Sequence, residues 1–338
     1  MLAANVSGDD LQIIQEKWSK LVPSFGDSFL KEIAMCYPIS IAKNSKIAFE
    51  FTVLPEMCNN AYQLHGGSAA TILDSLLGWA LGGDVGGEEQ NYVTVDLGLV
   101  HLHPLSEGDN VVLKAENVVH NDSGVSVVKG QLIRARDGLV CVEAKQALMR
   151  IGSVPVSKPV GPKVAPVALK PVPKPVKKVD LDKPATNRQT VQTSQLWKDT
   201  YSPNLFTKYP TMWTLISAEN GANLYEFRVA KEATNVLGLV HGGFLATAID
   251  ACTFATNQKE TPGQRSSVAL HVSYLAGARI GDVLQLRTKT IEQTDSLATI
   301  HAVISNKQNG VNIATGYHTV LESSQPDIVS TEQLKAHL

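Results

Sequence analysis

The 338 residues can form two ordinary domains with separate cores, 43% of them are apolar, and the formal net charge is −2. A near-neutral chain generates no strong field, which argues against a nucleic-acid partner. Cys36, Cys58, Cys141 and Cys252 form no CxxC pair and no cluster with histidines, so they read as thiols of a reducing compartment, and no metal site is expected. The opening MLAANVSGDDLQIIQEKW carries acids early and has no long apolar core. No apolar run reaches the roughly 18 residues that a membrane span requires. The expectation is an intracellular protein, cytoplasmic or mitochondrial, with no signal or transit peptide in evidence and no membrane span.

In chain order, a helix is expected near 9–21 within an N-terminal helical extension (1–44). A first domain (45–151) follows, with a strand near 47–54 and a helix near 67–82. Four β-rich runs come next, near 91–103, 110–121, 124–136 and 139–150, with turn signals DSG (122–124) and RDG (136–138) between them. Residues 152–189 form a Pro/Lys-rich linker. The stretch 153–184 within it holds eight of the sixteen prolines and seven lysines against two aspartates, a composition for extended polyproline II. The second domain (190–325) repeats the plan with strands near 212–218 and 222–230, a helix near 243–257, and strands near 265–275, 282–294, 297–306 and 311–322. A short tail, 326–338, ends the chain. One long helix followed by an antiparallel meander is an α+β plan in which a sheet wraps a central helix.

The repetition is visible in the letters. LHGGSAATILD (64–74) returns as VHGGFLATAID (240–250), and His65/His241, Asn59/Asn235 and Asp74/Asp250 are each 176 positions apart. NYVTVDLGLV (91–100) answers to RSSVALHVSY (265–274), so a whole domain is duplicated. Each repeated helix is apolar on nearly all sides, which marks it as buried. Asp74 is the only charge between Ser68 and Gly83, and Asp250 the only one between Phe244 and Gln258. Each acid lies two turns in, beyond the reach of the helix dipole. The same isolated acid in two matching places points to chemistry, although a structural hydrogen bond would also account for it.

Ahead of each acid, His65-Gly66-Gly67 and His241-Gly242-Gly243 carry the chain from loop into helix, where free N–H groups can meet a carbonyl oxygen that bears negative charge. Glycine needed only for close packing is the plainer reading. Gly67 and Asp74 are seven residues apart, about 10 Å along one helix, so an acid cannot easily serve its own glycine turn. Two helices lying side by side would let each lend its Asp to the other. The expectation is therefore two composite sites shared between the halves. Asn59 and Asn235 precede the histidines by six residues and can orient a reactant or simply form a turn. Thr94 and Ser267 fall on the following strand, within reach of a carboxylate or a water.

At these residues the sequence resembles the hotdog acyl-CoA thioesterases of the PaaI-like, THEM-related branch, whose pattern is Asn-x-x-Gly-x-x-His-Gly-Gly, an Asp nine residues after the His, and a strand Ser or Thr. The resemblance covers about 45–150 and 212–322. It implies a hotdog dimer formed within one chain, acting on acyl-CoA or another acyl thioester without metal or organic cofactor. It also implies that Asp activates water or attacks the carbonyl, that the first glycine after His donates to the thioester oxygen, and that Asn and the strand hydroxyl position the reactants. One site would combine Asn59, Gly66, Asp250 and Ser267; the other would combine Asn235, Gly242, Asp74 and Thr94. His65, His241, Gly67 and Gly243 would border the substrate. Two departures stand out. Tyr62 replaces a glycine that the second copy keeps as Gly238, which strains the Asn59 loop if the place needs positive φ. Ala269 stands where the first copy has Asp96.

Two other functions compete. The strap and the N-terminal extension suit a non-catalytic subunit or scaffold of a larger assembly, mitochondria being one setting, and the two-domain unit can also assemble with further copies of itself. A hotdog dehydratase or hydratase would want a His facing an acid, a pairing that the motif histidines do not suggest. Paired cations, Arg134 with Arg136 and Arg287 with Lys289, share strand faces and read as solvated surface in preference to phosphate ligands.

Overall fold

The computed structural model describes residues 8–25, 33–42, 46–59, 61–81, 92–120, 124–150, 212–219, 221–235, 237–256 and 264–323. The expected linker and tail, residues 122 and 123 of the DSG turn and residues 1–7 lie outside the described residues.

The first copy contains helices α1 (Gly8–Leu21) and α2 (Gly66–Leu77) and strands β1 (Tyr37–Ala42), β2 (Lys46–Thr52), β3 (Tyr92–His101), β4 (Asn110–His120), β5 (Val125–Arg134) and β6 (Leu139–Arg150). The second contains α3 (Gly242–Phe254) and strands β7 (Thr214–Glu219), β8 (Ala222–Arg228), β9 (Gln264–Tyr274), β10 (Val283–Gln293), β11 (Leu297–Asn306) and β12 (Asn312–Ser323). All twelve strands form one antiparallel sheet in the order β1-β2-β4-β5-β6-β3-β9-β12-β11-β10-β8-β7. Read outward from the centre, the two halves of that order are equivalent. The sheet is two six-stranded copies related by an approximate two-fold between β3 and β9.

At that junction Asp96 pairs with Ser273 and Val100 with Ala269. Asp96 accepts a hydrogen bond from Ser273 Oγ (2.8 Å) and lies 3.0 Å from His271 Nε2, both across the junction. Across the junction Ala269 faces the apolar Val100. The Asp/Ala difference between the copies therefore makes one side of the junction charged and the other apolar.

Strands such as β11 alternate buried and half-buried residues along their length, the signature of a sheet with one face on the core. Helix α2 packs on β3–β6, α3 packs on β9–β12, and the two helices pack on each other. Every residue from Gly243 to Thr253 of α3 is buried. Glycines make the close approach possible. A Cβ on Gly67 would lie 3.0 Å from Thr247 Cα, and one on Gly243 would lie 3.0 Å from Thr71 Cα. Thr71 and Thr247 face each other at 3.1 Å, and Thr247 Oγ1 donates to Gly67 O across the crossing (3.0 Å).

Strand β1 has no counterpart in the sequence reading, which starts the first domain at 45. Pro38 disfavours a strand, and here it sits next to a register shift on an edge, where a missing N–H costs little. Helix α1 folds onto the first copy through buried Ile14 and Trp18, with the Trp18 ring 5.7 Å from Phe49 and 5.3 Å from Trp79.

Tyr62 has φ 57°, matching φ 69° at Gly238, and is the one non-glycine residue with positive φ among the described residues. The loop keeps its shape all the same. Asn59 Oδ1 accepts from Ala61 N (2.9 Å) and Gln63 N (3.2 Å), as Asn235 Oδ1 does from Leu237 N and Leu239 N at the same distances. Left-handed backbone costs a residue bearing a Cβ about 1–2 kcal/mol, offset by glycine's greater freedom in the unfolded chain. Tyr62→Gly is expected to stabilise by about 0.5–1 kcal/mol, read as a higher denaturant midpoint; an unchanged midpoint would mean that the ring's contacts offset the strain.

Candidate active site

The helix crossing decides where each acid lies. Because α2 and α3 meet near their starts, Asp250 on α3 reaches the first turn of α2, and Asp74 on α2 reaches the first turn of α3. Gly67 N donates to Asp250 Oδ2 (3.1 Å), and His65 Nδ1 lies 3.3 Å from the same oxygen. Ser267 Oγ donates to Asp250 Oδ1 (3.1 Å). A Cβ on Gly66 would lie 2.5 Å from Asp250 Oδ1 and 3.0 Å from Ser267 Oγ, so only glycine fits there. In the second arrangement His241 Nδ1 lies 3.4 Å from Asp74 Oδ2, and a Cβ on Gly242 would lie 2.9 Å from it. Asp250 is 1% exposed and Asp74 8%; both carboxylates have left bulk water.

His65 and His241 each cap their own helix, with Nδ1 accepting from the N–H of Gly67 and Gly243 respectively (3.0 Å). Burial lowers the His241 pKa although Asp74 opposes it. Asn59 and Asn235 spend their side-chain oxygens on their own loops, which is turn chemistry and leaves only the amide N–H groups for a ligand. Thr94 is not brought to Asp74 as Ser267 is to Asp250. Its Oγ1 accepts from Gln146 Nε2 (2.8 Å), which also donates to Asp74 Oδ1 (3.1 Å) and Asp74 O (2.9 Å).

Gln146 is the first residue that sequence reasoning missed, and His318 is the second. They occupy equivalent places on β6 and β12, pairing with Leu97 and Leu270. His318 Nε2 lies 3.3 Å from Asp250 Oδ1, and His318 Nδ1 lies 2.7 Å from Thr253 Oγ1. The expectation that the motif histidines do not face an acid is thus corrected: His65 lies against Asp250 and His241 against Asp74, and His318 faces Asp250 as well, because residues far apart in sequence converge on the crossing. His101 and Tyr274 form a third equivalent pair, at the ends of β3 and β9. Tyr274 Oη donates to Gly242 O (3.0 Å), whereas the buried His101 Nε2 has no hydrogen-bond partner among the described residues. Burial pulls the His101 pKa down to about 4, against the opposing charge of Asp250.

Among the described residues no His/Cys/Asp/Glu group is arranged to hold a metal ion, and no helix is long and apolar enough to cross a membrane. Of the paired cations, Arg134 is held by Asp137 (2.7 Å), and the exposed Arg136 by the buried Asp109 (2.8 Å).

Two central helices in contact under one continuous sheet define a double-hotdog protein. Solved structures share the plan. An acyl-CoA thioesterase II from Mycobacterium marinum aligns with TM-score 0.56 and 13% identity over 88% of this chain and 99% of its own. An acyl-ACP thioesterase from Bacteroides thetaiotaomicron aligns with TM-score 0.52 and 12% identity over 83% and 100%. The family model of the thioesterase superfamily matches residues 237–313. Human and mouse acyl-coenzyme A thioesterase 13 are each 34% identical over 107 residues, 31% of this chain and 76% of theirs. The chain belongs to the thioesterase superfamily.

Proposed function

We propose that this protein hydrolyses acyl thioesters such as acyl-CoA, at two sites each assembled from both copies. The observation that carries the reading is the 3.1 Å contact between Gly67 N and Asp250 Oδ2, which sets a buried carboxylate of one copy on the glycine turn of the other. The names of the relatives, acyl-coenzyme A thioesterases, support the substrate class.

The chemistry follows from that contact. The Gly67 N–H is shared by His65 and Asp250, which leaves the Gly66 N–H as the donor for a thioester oxygen. A carbonyl held there gains stabilisation as it becomes an oxyanion, an effect worth about 10²–10³ in rate for one donor. Asp250, steadied by Ser267, takes a proton from the attacking water. When the C–S bond breaks, the proton returns to the departing thiolate, giving a carboxylic acid and a free thiol. Gly242 and Asp74 are placed for the same steps.

Purified protein is expected to release thiol from acyl-CoA, and Asp74→Asn combined with Asp250→Asn to lower the release by at least about 10²-fold while the melting temperature stays above the assay temperature. A folded double variant that turns over like the wild type would end this reading. A wild type that releases no thiol across a panel of acyl-CoAs would favour the scaffold role.

A further inference from the structure

The two arrangements are built on one plan, yet the partners of their carboxylates differ in chemical kind. Asp250 faces His65 from the turn before α2, His318 from β12, His101 from β3 and Cys252 on its own helix, with Arg265 of β9 near His318. Asp74 faces His241 from the turn before α3, Gln146 from β6 and Tyr274 from β9, with Asp96 beyond the tyrosine. Imidazoles thus stand where the Asp74 arrangement has an amide and a phenol.

A proton count at His318 shows what this changes. Thr253 Oγ1 donates to the helix carbonyls Ile249 O (2.5 Å) and Asp250 O (3.0 Å), the usual back-bonding of a helical threonine. Its single proton is then committed, and the 2.7 Å contact with His318 requires Nδ1–H to be the donor. His318 Nε2 is left facing Asp250 Oδ1 at 3.3 Å. That nitrogen makes no hydrogen bond among the described residues and is placed to take up a proton beside the carboxylate. Gln146 cannot do this. Its two amide hydrogens are fixed, and they serve three acceptors, Asp74 Oδ1, Asp74 O and Thr94 Oγ1. The support for the imidazole is missing as well: the place of Thr253 is taken in the first copy by Leu77, 176 positions earlier.

We infer that the two sites are unequal, the Asp250 site being the faster hydrolase because His318 can take up the proton that its base removes from water, and the Asp74 site the slower because Gln146 has no place for one. This rests on the thioesterase reading above. His318 is fully buried and acts through Asp250, as a positioning and proton-sharing residue. As the water oxygen bonds to the thioester carbon, its proton passes to the Asp250–His318 pair. As the C–S bond breaks, sulfur keeps the electron pair and takes a proton from the same pair. No other reactant is needed.

The test is thiol release by the full chain carrying Asp74→Asn, which leaves the Asp250 site, or Asp250→Asn, which leaves the other. With His318 in play, Asp74→Asn is expected to keep a kcat at least about ten-fold above that of Asp250→Asn, with a rate that falls as the pH drops below about 6.5 and the imidazole is filled with a proton beforehand. Asp250→Asn, whose remaining site keeps His241 beside Asp74 but has no counterpart of His318, is expected to show the smaller change. Adding His318→Gln to Asp74→Asn should lower kcat more than it raises KM and remove the pH dependence. Adding Leu77→Thr with Gln146→His to Asp250→Asn should raise kcat, a gain that no purely structural role provides. Equal rates and equal pH profiles for the two single variants would overturn the inference while leaving the thioesterase reading intact. A wild type without turnover would overturn both.

Discussion

Gly66→Ala is expected to silence the Asp250 site, cutting the thiol release of Asp74→Asn protein by at least about 10²-fold. The new Cβ would lie 2.5 Å from Asp250 Oδ1, closer than real Cβ contacts come, and Ser267 Oγ at 3.0 Å closes the direction of escape. The carboxylate would have to swing away from the glycine turn, losing the Gly67 N–H bond, while the methyl group would occupy the space of the incoming carbonyl. Loss of a single oxyanion donor or of a well-placed base each costs this much. Overpacking of a tight site adds about 1–3 kcal/mol of destabilisation, so the melting temperature has to be measured beside the rate. A Gly66→Ala protein with undiminished kcat in the Asp74→Asn background would show that this turn does not bind the reacting group.

The second large effect is on stability in acid. His318 is fully buried and His101 and His241 are half-buried, and removal from water lowers the pKa of each below the 6.5 of an ordinary histidine. The unfolded chain takes up protons as pH falls through about 6.5, whereas the folded chain resists. Stability is therefore complete above about 6.5 and is lost on acidification. For His101 the loss is complete near its folded value of about 4. That gap corresponds to a loss on the order of 3 kcal/mol from His101 alone. His101→Tyr installs the residue that the second copy uses, Tyr274, whose hydroxyl binds the glycine-turn carbonyl. This variant is expected to lose clearly less melting temperature between pH 7 and pH 4.5 than the wild type. Parallel pH curves would show that His101 is not held neutral in the folded protein.

The domain duplication, the two buried helices and the glycine turns were legible in the sequence because each is a local pattern, and repetition separates such a pattern from chance. The side-by-side helices followed from a distance argument: seven residues put an acid about 10 Å from its own turn, and only a second helix closes that gap. What escaped has no local signature. Gln146 sits among the inward-facing residues Val142, Ala144 and Leu148 of β6, and an isolated polar residue on an apolar face was the available sign. Its partners Asp74 and Thr94 are 72 and 52 positions away. His318 was equally hidden, 65 positions from Thr253. The last strands of the two copies, laid over each other, pair Gln146 with His318. Strand β1 was missed for another reason. Pro38 argues against a strand on local grounds, but the sheet edge tolerates it.

The central claim is that each acid serves the glycine turn of the other copy, and double variants in one chain test it directly. Gly66→Ala with Asp250→Asn removes one site twice, so thiol release should equal that of Asp250→Asn alone. Gly66→Ala with Asp74→Asn removes both sites, so release should fall at least about 10²-fold below Asp74→Asn alone. The reverse pattern, in which Gly66→Ala adds nothing to Asp74→Asn but abolishes what Asp250→Asn retains, would mean that each copy works with its own acid and would contradict the shared sites.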